Sequence, residues 1–255
     1  MTGQNSAKPW LANYTPAPEA NWRLFCFPYA GGGSSIFRTW PNRLPRFVEV
    51  CPVQLPGRGA RMNELPFTSL RPMVRAIADG LSTRLDKPFA FFGHSMGALI
   101  SLELARLLRK ENGLEPIHLF VSGHRAPNIP YPAAPTFDLP EAEFIEELRR
   151  LNGTPKEVLA NPELMQLMLP LLRADFAVSQ TYEYSPEPSL SCPVTVFGGV
   201  TDEVTREQLE PWREQTTSTF TLKMLRGDHF FIHSAEQHIL ETINQQLLQY
   251  ARVVY

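Results

Sequence analysis

The feature that most narrows the fold of this chain is a five-residue turn, Gly93-His94-Ser95-Met96-Gly97, set between the apolar run FAFF (89–92) and a long helical stretch over residues 96–110. The pattern alone carries little weight, because glycine and serine frequencies produce it by chance about one time in ten in a chain this long. Its setting carries the argument. A strand that passes straight into a helix must turn sharply, and a Cβ at either glycine would strike the neighbouring strand or helix. Such a turn holds Ser95 in a strained backbone conformation and lifts its Oγ above the sheet. It also aims the Met96 backbone N–H, at the positive end of the helix, toward the same point.

The rest of the chain repeats the same strand-and-helix grammar. WRLFCFP (22–28), FVEVCPV (47–53), FAFFGH (89–94), IHLFVSG (117–123), PVTVFGG (193–199) and TFTLKML (219–225) are short apolar runs. Helical stretches stand between several of them, one over about 68–85 and one over 96–110. In the second, Glu103, Arg106 and Lys110 form a single polar stripe, which predicts that the helix is otherwise buried. Nearly continuous apolar strands separated by helices indicate a mostly parallel sheet covered on both faces, an α/β fold. The last helix has a capping-box pattern, Ser234 with Gln237, and an apolar seam of Ile239, Ile243 and Leu247. With 255 residues, 43% hydrophobic and 20% charged, one sizeable core is expected.

Residues 1–20 lack periodicity and read as a tail, leaving 21–255 as the folded domain. The alternation breaks once, over about 125–188, where no strand pattern is present. Prolines 127, 130, 132 and 135 open this stretch. Two helical patterns follow, first Phe144, Leu148 and Leu151, then Leu164, Met168, Leu171, Leu172 and Phe176. A segment this long between strands must sit on the sheet, above the strand ends where ligands bind.

A serine hydroxyl becomes a nucleophile when a base takes its proton and an acid orients that base. In such sheets the chain order is serine, acid, histidine. Of six histidines, His94 lies in the turn and points away from the serine, His118 and His124 flank a strand, and His233 and His238 belong to the last helix. His229 occupies the turn between the last strand and that helix, and is the expected base. Asp202 ends the fifth run and is the expected acid, with Glu203 its rival. Asp228 is too close in sequence to His229 to converge on it. The second donor for a developing oxyanion is expected from the glycine-rich loop 29–33, at Ala30, with Gly31 the alternative. Ser95, His229 and Asp202 are thus the expected catalytic residues, and Met96 and Ala30 the oxyanion donors.

FCFPYAGGG (25–33), QLPGRGAR (54–61), FFGHSMGA (91–98), FGGVTDEV (197–204) and LRGDHFFI (225–232) together resemble the type II thioesterases that accompany polyketide synthases and nonribosomal peptide synthetases. The resemblance runs from near residue 22 to the last helix. It departs at the histidine turn, Gly-Asp-His here against Gly-Gly-His in many members. It implies an α/β-hydrolase fold with a helical lid over residues 125–188. It also implies hydrolysis of acyl or aminoacyl thioesters on phosphopantetheinyl carrier proteins, clearing misprimed or stalled groups, and a monomer. A carboxylesterase or acyl-CoA thioesterase of the same fold is the alternative. Carrier proteins are acidic, and Arg58, Arg61, Arg149, Arg150, Lys156 and Arg173 are the candidates to meet them.

The formal net charge of −2 gives no reason to expect a nucleic-acid or membrane partner. Three scattered cysteines suit neither a disulfide framework nor a zinc site, and no cofactor or metal is expected. Without an apolar leader or a membrane-length run, the expected location is cytoplasmic.

Overall fold

The computed structural model describes residues 10–11, 14–131 and 134–251. Much of the expected tail, residues 1–9 and 12–13, lies outside the described residues, as does Pro132. Trp10 and Leu11 are buried. The Arg61 guanidinium lies 4.0 Å from the Trp10 ring centroid, so this part of the tail packs firmly on the domain.

All six apolar runs form strands: β1 (Trp22–Phe27), β2 (Val48–Pro52), β3 (Phe89–His94), β4 (His118–Ser122), β5 (Val194–Gly199) and β6 (Phe220–Leu225). They pair in the order β2-β1-β3-β4-β5-β6, every pair parallel. Side chains alternate between the two faces with the period of two that a strand imposes. Phe25, Phe27, Phe89 and Phe91 face one side and pack with helices α1 (Leu70–Leu81) and α2 (Met96–Asn112). Leu24, Cys26, Ala90 and Phe92 face the other, where Ile239, Ile243 and Leu247 meet them. Each layer excludes water from one side of the sheet, which is why β1 to β5 lack a regular polar alternation, whereas the half-buried edge strand β6 alternates Phe220, Leu222 and Met224 with Thr221 and Lys223.

Between β4 and β5 come helices α3 (Glu141–Leu151), α4 (Lys156–Leu159) and α5 (Pro162–Gln180). Their apolar stripes form a separate small core of Phe144, Leu148, Met165, Leu169 and Leu172. Asn161 caps α5, its side chain accepting from the Glu163 and Leu164 N–H groups. Beyond β5 are α6 (Arg206–Leu209), closed at its start by a Thr205/Gln208 capping box, and after β6 α7 (Phe231–Ser234) and α8 (Glu236–Ala251).

Two local expectations are corrected. Ser234 does not open the last helix. It ends α7, and the chain breaks at Ala235 before α8 begins, because Phe231 and Ile232 are drawn under the sheet and start a turn early. Arg106 is not on a solvated stripe. It is 3% exposed, paired with Glu103 and donating to Gln215 Oε1 and the Ser185 carbonyl, because the chain returning from α5 covers that face of α2.

The strand order reverses between β1 and β3, each continuing outward on its own side. Loops leaving the carboxyl ends of these two strands diverge there and open a crevice. The glycine-rich loop follows β1 and the Ser95 turn follows β3, so the topology puts both on that crevice.

Candidate active site

Ser95 sits between β3 and α2 with φ 55° and ψ −117°, a conformation that a non-glycine residue rarely adopts. The turn is held by the Ser95 N–H donating to the Ser122 carbonyl on β4, 2.7 Å. Packing explains both flanking glycines. A Cβ on Gly93 would stand 2.0 Å from the Gly97 carbonyl oxygen, and one on Gly97 would stand 2.2 Å from that of Phe27.

His229 and Asp202 arrive from the ends of neighbouring strands. β5 and β6 are adjacent, and their following loops are bonded together by Val200 N–H to the Leu225 carbonyl and Thr201 N–H to the Gly227 carbonyl. Gly199 packs directly beneath the Gly227 and Asp228 carbonyls. His229 Nε2 is 3.0 Å from Ser95 Oγ, and His229 Nδ1 is 3.0 Å from Asp202 Oδ2 and 3.2 Å from Oδ1. The Asp202 side chain is 1% exposed and also accepts from the Val204 N–H. A buried carboxylate at Nδ1 keeps that nitrogen protonated, leaving Nε2 as the lone-pair face toward the serine.

The rival carboxylates point elsewhere. Glu203 is 70% exposed and paired with Arg150 on α3. Asp228 accepts from the Phe230 N–H and from Asn152 in the inserted segment.

His94 is turned away from Ser95 and fully buried. One ring nitrogen, Nδ1, is 2.8 Å from Ser122 Oγ, and the other, Nε2, is 2.8 Å from the His229 carbonyl. Burial drives its pKa well below the usual imidazole range, so it is neutral, with Nε2–H donating to that carbonyl. It therefore braces the histidine turn from below. Sequence alone indicated where His94 does not point and missed what it holds.

Loop 29–33 lines the same cavity as Ser95 and His229. The Gly32 N–H donates to the Tyr29 carbonyl, and the Gly31 N–H donates to Asp175 Oδ2 on α5, 2.7 Å. Gly31, the sequence alternative, is thereby occupied. Among the described residues no hydrogen bond engages the Ala30 N–H. The Met96 N–H is the first of α2 and has no partner within the helix.

A cavity of about 610 Å³ lies over Ser95 and His229, roofed by the inserted helices through Leu148, Met168, Leu172 and Phe176. At its rim Gly153 lies against the Phe230 ring, where a Cβ would be only 2.2 Å from Cζ. Of the six basic residues considered for partner docking, Arg58 and Arg61 are 6% and 8% exposed and belong to the interior. Arg58 pairs with Asp175, Arg61 with Glu64, and Arg173 is half-buried, donating to the Phe137 carbonyl. Arg58 reads as a surface charge only while the inserted segment is ignored, whereas Arg61 is covered by Trp10 and held by Glu64 and the Gln54 carbonyl. Arg149, Arg150 and Lys156 are exposed.

Among the described residues no group of three or more His, Cys, Asp or Glu side chains is arranged to hold a metal. No helix among them is long and apolar enough to cross a membrane.

A thioesterase domain family model matches residues 22–247. The chain is 47% identical over 249 residues to linear gramicidin dehydrogenase LgrE of Brevibacillus parabrevis, covering 96% of this chain and 95% of that one. It is 46% identical over 248 residues to the gramicidin S biosynthesis protein GrsT of Aneurinibacillus migulanus, covering 97% of each. Its structure is similar to that of the type II thioesterase BorB from the borrelidin biosynthetic cluster, with TM-score 0.86 and 34% identity, covering 94% of this chain and 98% of that one. One of these names carries a different reaction, but the family model and the solved relative agree on the class. The crevice, the α/β-hydrolase sheet and these likenesses lead to one conclusion: the chain belongs to the thioesterase domain family, hydrolases that act on thioesters.

Proposed function

We propose that the protein is a stand-alone type II thioesterase that clears acyl and aminoacyl groups from the phosphopantetheine arms of carrier proteins in polyketide or nonribosomal peptide assembly. The observation that carries the reading is the 3.0 Å approach of His229 Nε2 to Ser95 Oγ at the floor of a roofed, largely apolar cavity. His229 takes the Ser95 proton as Oγ attacks the thioester carbonyl carbon. The carbonyl electron pair moves onto oxygen, where the Met96 and Ala30 N–H groups stabilise it. As the tetrahedral species collapses, the C–S bond breaks and His229 returns the proton to the departing sulfur. Water, deprotonated by His229, then releases the acid and restores Ser95. Asp202 keeps the imidazole in the right tautomer and stabilises its charged form.

The roof acts as a lid. Its Leu148, Met168, Leu172 and Phe176 side chains suit an acyl chain of variable shape, methionine being the adaptable member. The working state is a monomer in the cytoplasm, with the loaded carrier protein as partner. Arg149, Arg150 and Lys156 are the basic residues exposed to meet an acidic carrier.

The test has two parts. Ser95→Ala should lose nearly all turnover while unfolding as the parent does, leaving the roughly 10³–10⁴-fold enhancement that binding and oxyanion groups supply without a triad. Retention of most of the parent rate would overturn the assignment. Hydrolysis of one acyl group is then compared on a carrier protein, on coenzyme A and on an oxygen ester. A higher kcat/KM on the carrier that falls as salt rises is expected, since exposed charges are screened over about 10 Å at 0.1 M. Equal efficiencies would favour a general esterase or acyl-CoA thioesterase.

A further inference from the structure

The insertion does more than cover the cavity. Asp175, on α5, is fully buried and lies 117 residues from Arg58 in sequence. Arg58 grips it with both terminal nitrogens, Nη1 to Oδ2 at 2.6 Å and Nη2 to Oδ1 at 2.7 Å. The same carboxylate accepts the Gly31 N–H, and the same guanidinium donates to the Gly32 carbonyl, 3.0 Å. Two consecutive residues of the loop after β1 are therefore tied, through their backbone, to one buried ion pair. Gly31 has φ 78°, and a Cβ there would lie 2.6 Å from Leu172 Cδ2 on α5, so lid and loop are also in direct apposition.

A buried ion pair is weak evidence for stability, because the loss of hydration offsets most of the attraction. Its position here offers another account. Ala30, the donor assigned above, immediately precedes the two anchored residues, and a donor lowers a barrier only if it is already aimed when charge develops. From this geometry, and resting on the function proposed above, we infer that Asp175 and Arg58 are positioning residues. They orient the Ala30 N–H through Gly31 and Gly32, so that the oxyanion site is complete only while α5 is seated on the loop.

Substitutions at the pair should thus act on the transition state rather than on substrate binding. Asp175→Asn keeps the shape and an acceptor for Gly31 but removes the charge that holds Arg58. The double variant Arg58→Met/Asp175→Leu removes the network while leaving no unpaired buried charge. Losing an oxyanion donor outright costs about 10²–10³ in kcat, so a loosened one should cost about 10–10².

The experiment measures three quantities on each variant, with urea unfolding to select those that fold as the parent does: kcat on an acyl-pantetheine thioester, Ki for a trifluoromethyl ketone analogue, and Kd for the unreactive thioether analogue. The ketone carbon takes Ser95 Oγ, its oxygen carries the negative charge and the serine proton passes to His229, so its affinity reports the oxyanion site. Expected is a parallel loss of about 10–10² in kcat and ketone affinity, with thioether affinity within about twofold of the parent. Arg58→Lys, which keeps charge but cannot make the paired contact, should fall between. Parent-like kcat in a folded variant, or thioether affinity falling as far as ketone affinity, would overturn the inference. So would failure of both Asp175→Asn and the double variant to fold, which would make the pair a structural element only. Ser95→Ala, run alongside, separates the two hypotheses. If it is inactive while the Asp175 variants are normal, only the positioning role fails.

Discussion

Replacing Gly97 with alanine adds one methyl group at the junction on which the whole site depends. That Cβ would stand 2.2 Å from the Phe27 carbonyl oxygen and 2.7 Å from its carbon. Ordinary contact begins near 3.4 Å, so α2 and the end of β1 must part by about 1 Å. The obstacle cannot rotate away, because it is backbone, and Phe27 is paired in register with Gly93. The gap opens between the two halves of the proposed machinery: Ser95 and Met96 lie at the start of α2, while Ala30 follows Phe27 by three residues. Misplacing reacting groups by 1 Å costs about 10²-fold in rate. Overpacking a tight interior costs about 1–3 kcal/mol of stability. We expect Gly97→Ala to remain folded, to lose stability in that range by urea unfolding, and to lose about 10² in kcat. Thiol release from an acyl-pantetheine thioester gives the rate continuously. A Gly97→Ala enzyme with the parent kcat would refute the claim that this contact sets the distance between nucleophile and oxyanion loop.

Asp202→Asn should lower kcat by about 10⁴ by placing the wrong tautomer of His229 against Ser95, whereas Glu203→Gln should stay within about twofold. The reverse pattern in steady-state kinetics would exchange the two carboxylates. His118, 1% exposed and hydrogen-bonded to Thr195 Oγ1, has its pKa pushed by burial down to about 3. Its folded pKa lies below the unfolded value of about 6.5, so its contribution is complete above that value and is lost as pH falls toward 3. Between pH 7 and pH 5 this amounts to about 2 kcal/mol, and His118→Gln should remove that share of the pH dependence in urea titrations. An unchanged slope would contradict a neutral buried imidazole.

Much of this protein was legible without a fold, because the signals are local. The six apolar runs declared themselves through composition over five or six residues. The Ser95 turn did so through glycines whose spacing only a strand-to-helix reversal requires. The chain order serine, acid, histidine expected of such sheets, laid over the turns that end the strands, singled out Ser95, Asp202 and His229, and the structure sets His229 within hydrogen-bonding distance of both the others. What stayed hidden depends on residues far apart in sequence meeting in space. Arg58 reads as a loop charge until α5 delivers Asp175 to it, and Arg106 reads as a solvated stripe until the chain after α5 covers it. Ser234 carries a sound capping pattern, but burial of Phe231 and Ile232 outweighs it. Sequence places the second oxyanion donor at Ala30 with Gly31 the alternative, but each residue of that loop offers the same backbone N–H. Tertiary structure distinguishes the two, because it engages the Gly31 N–H with a carboxylate from the inserted helix.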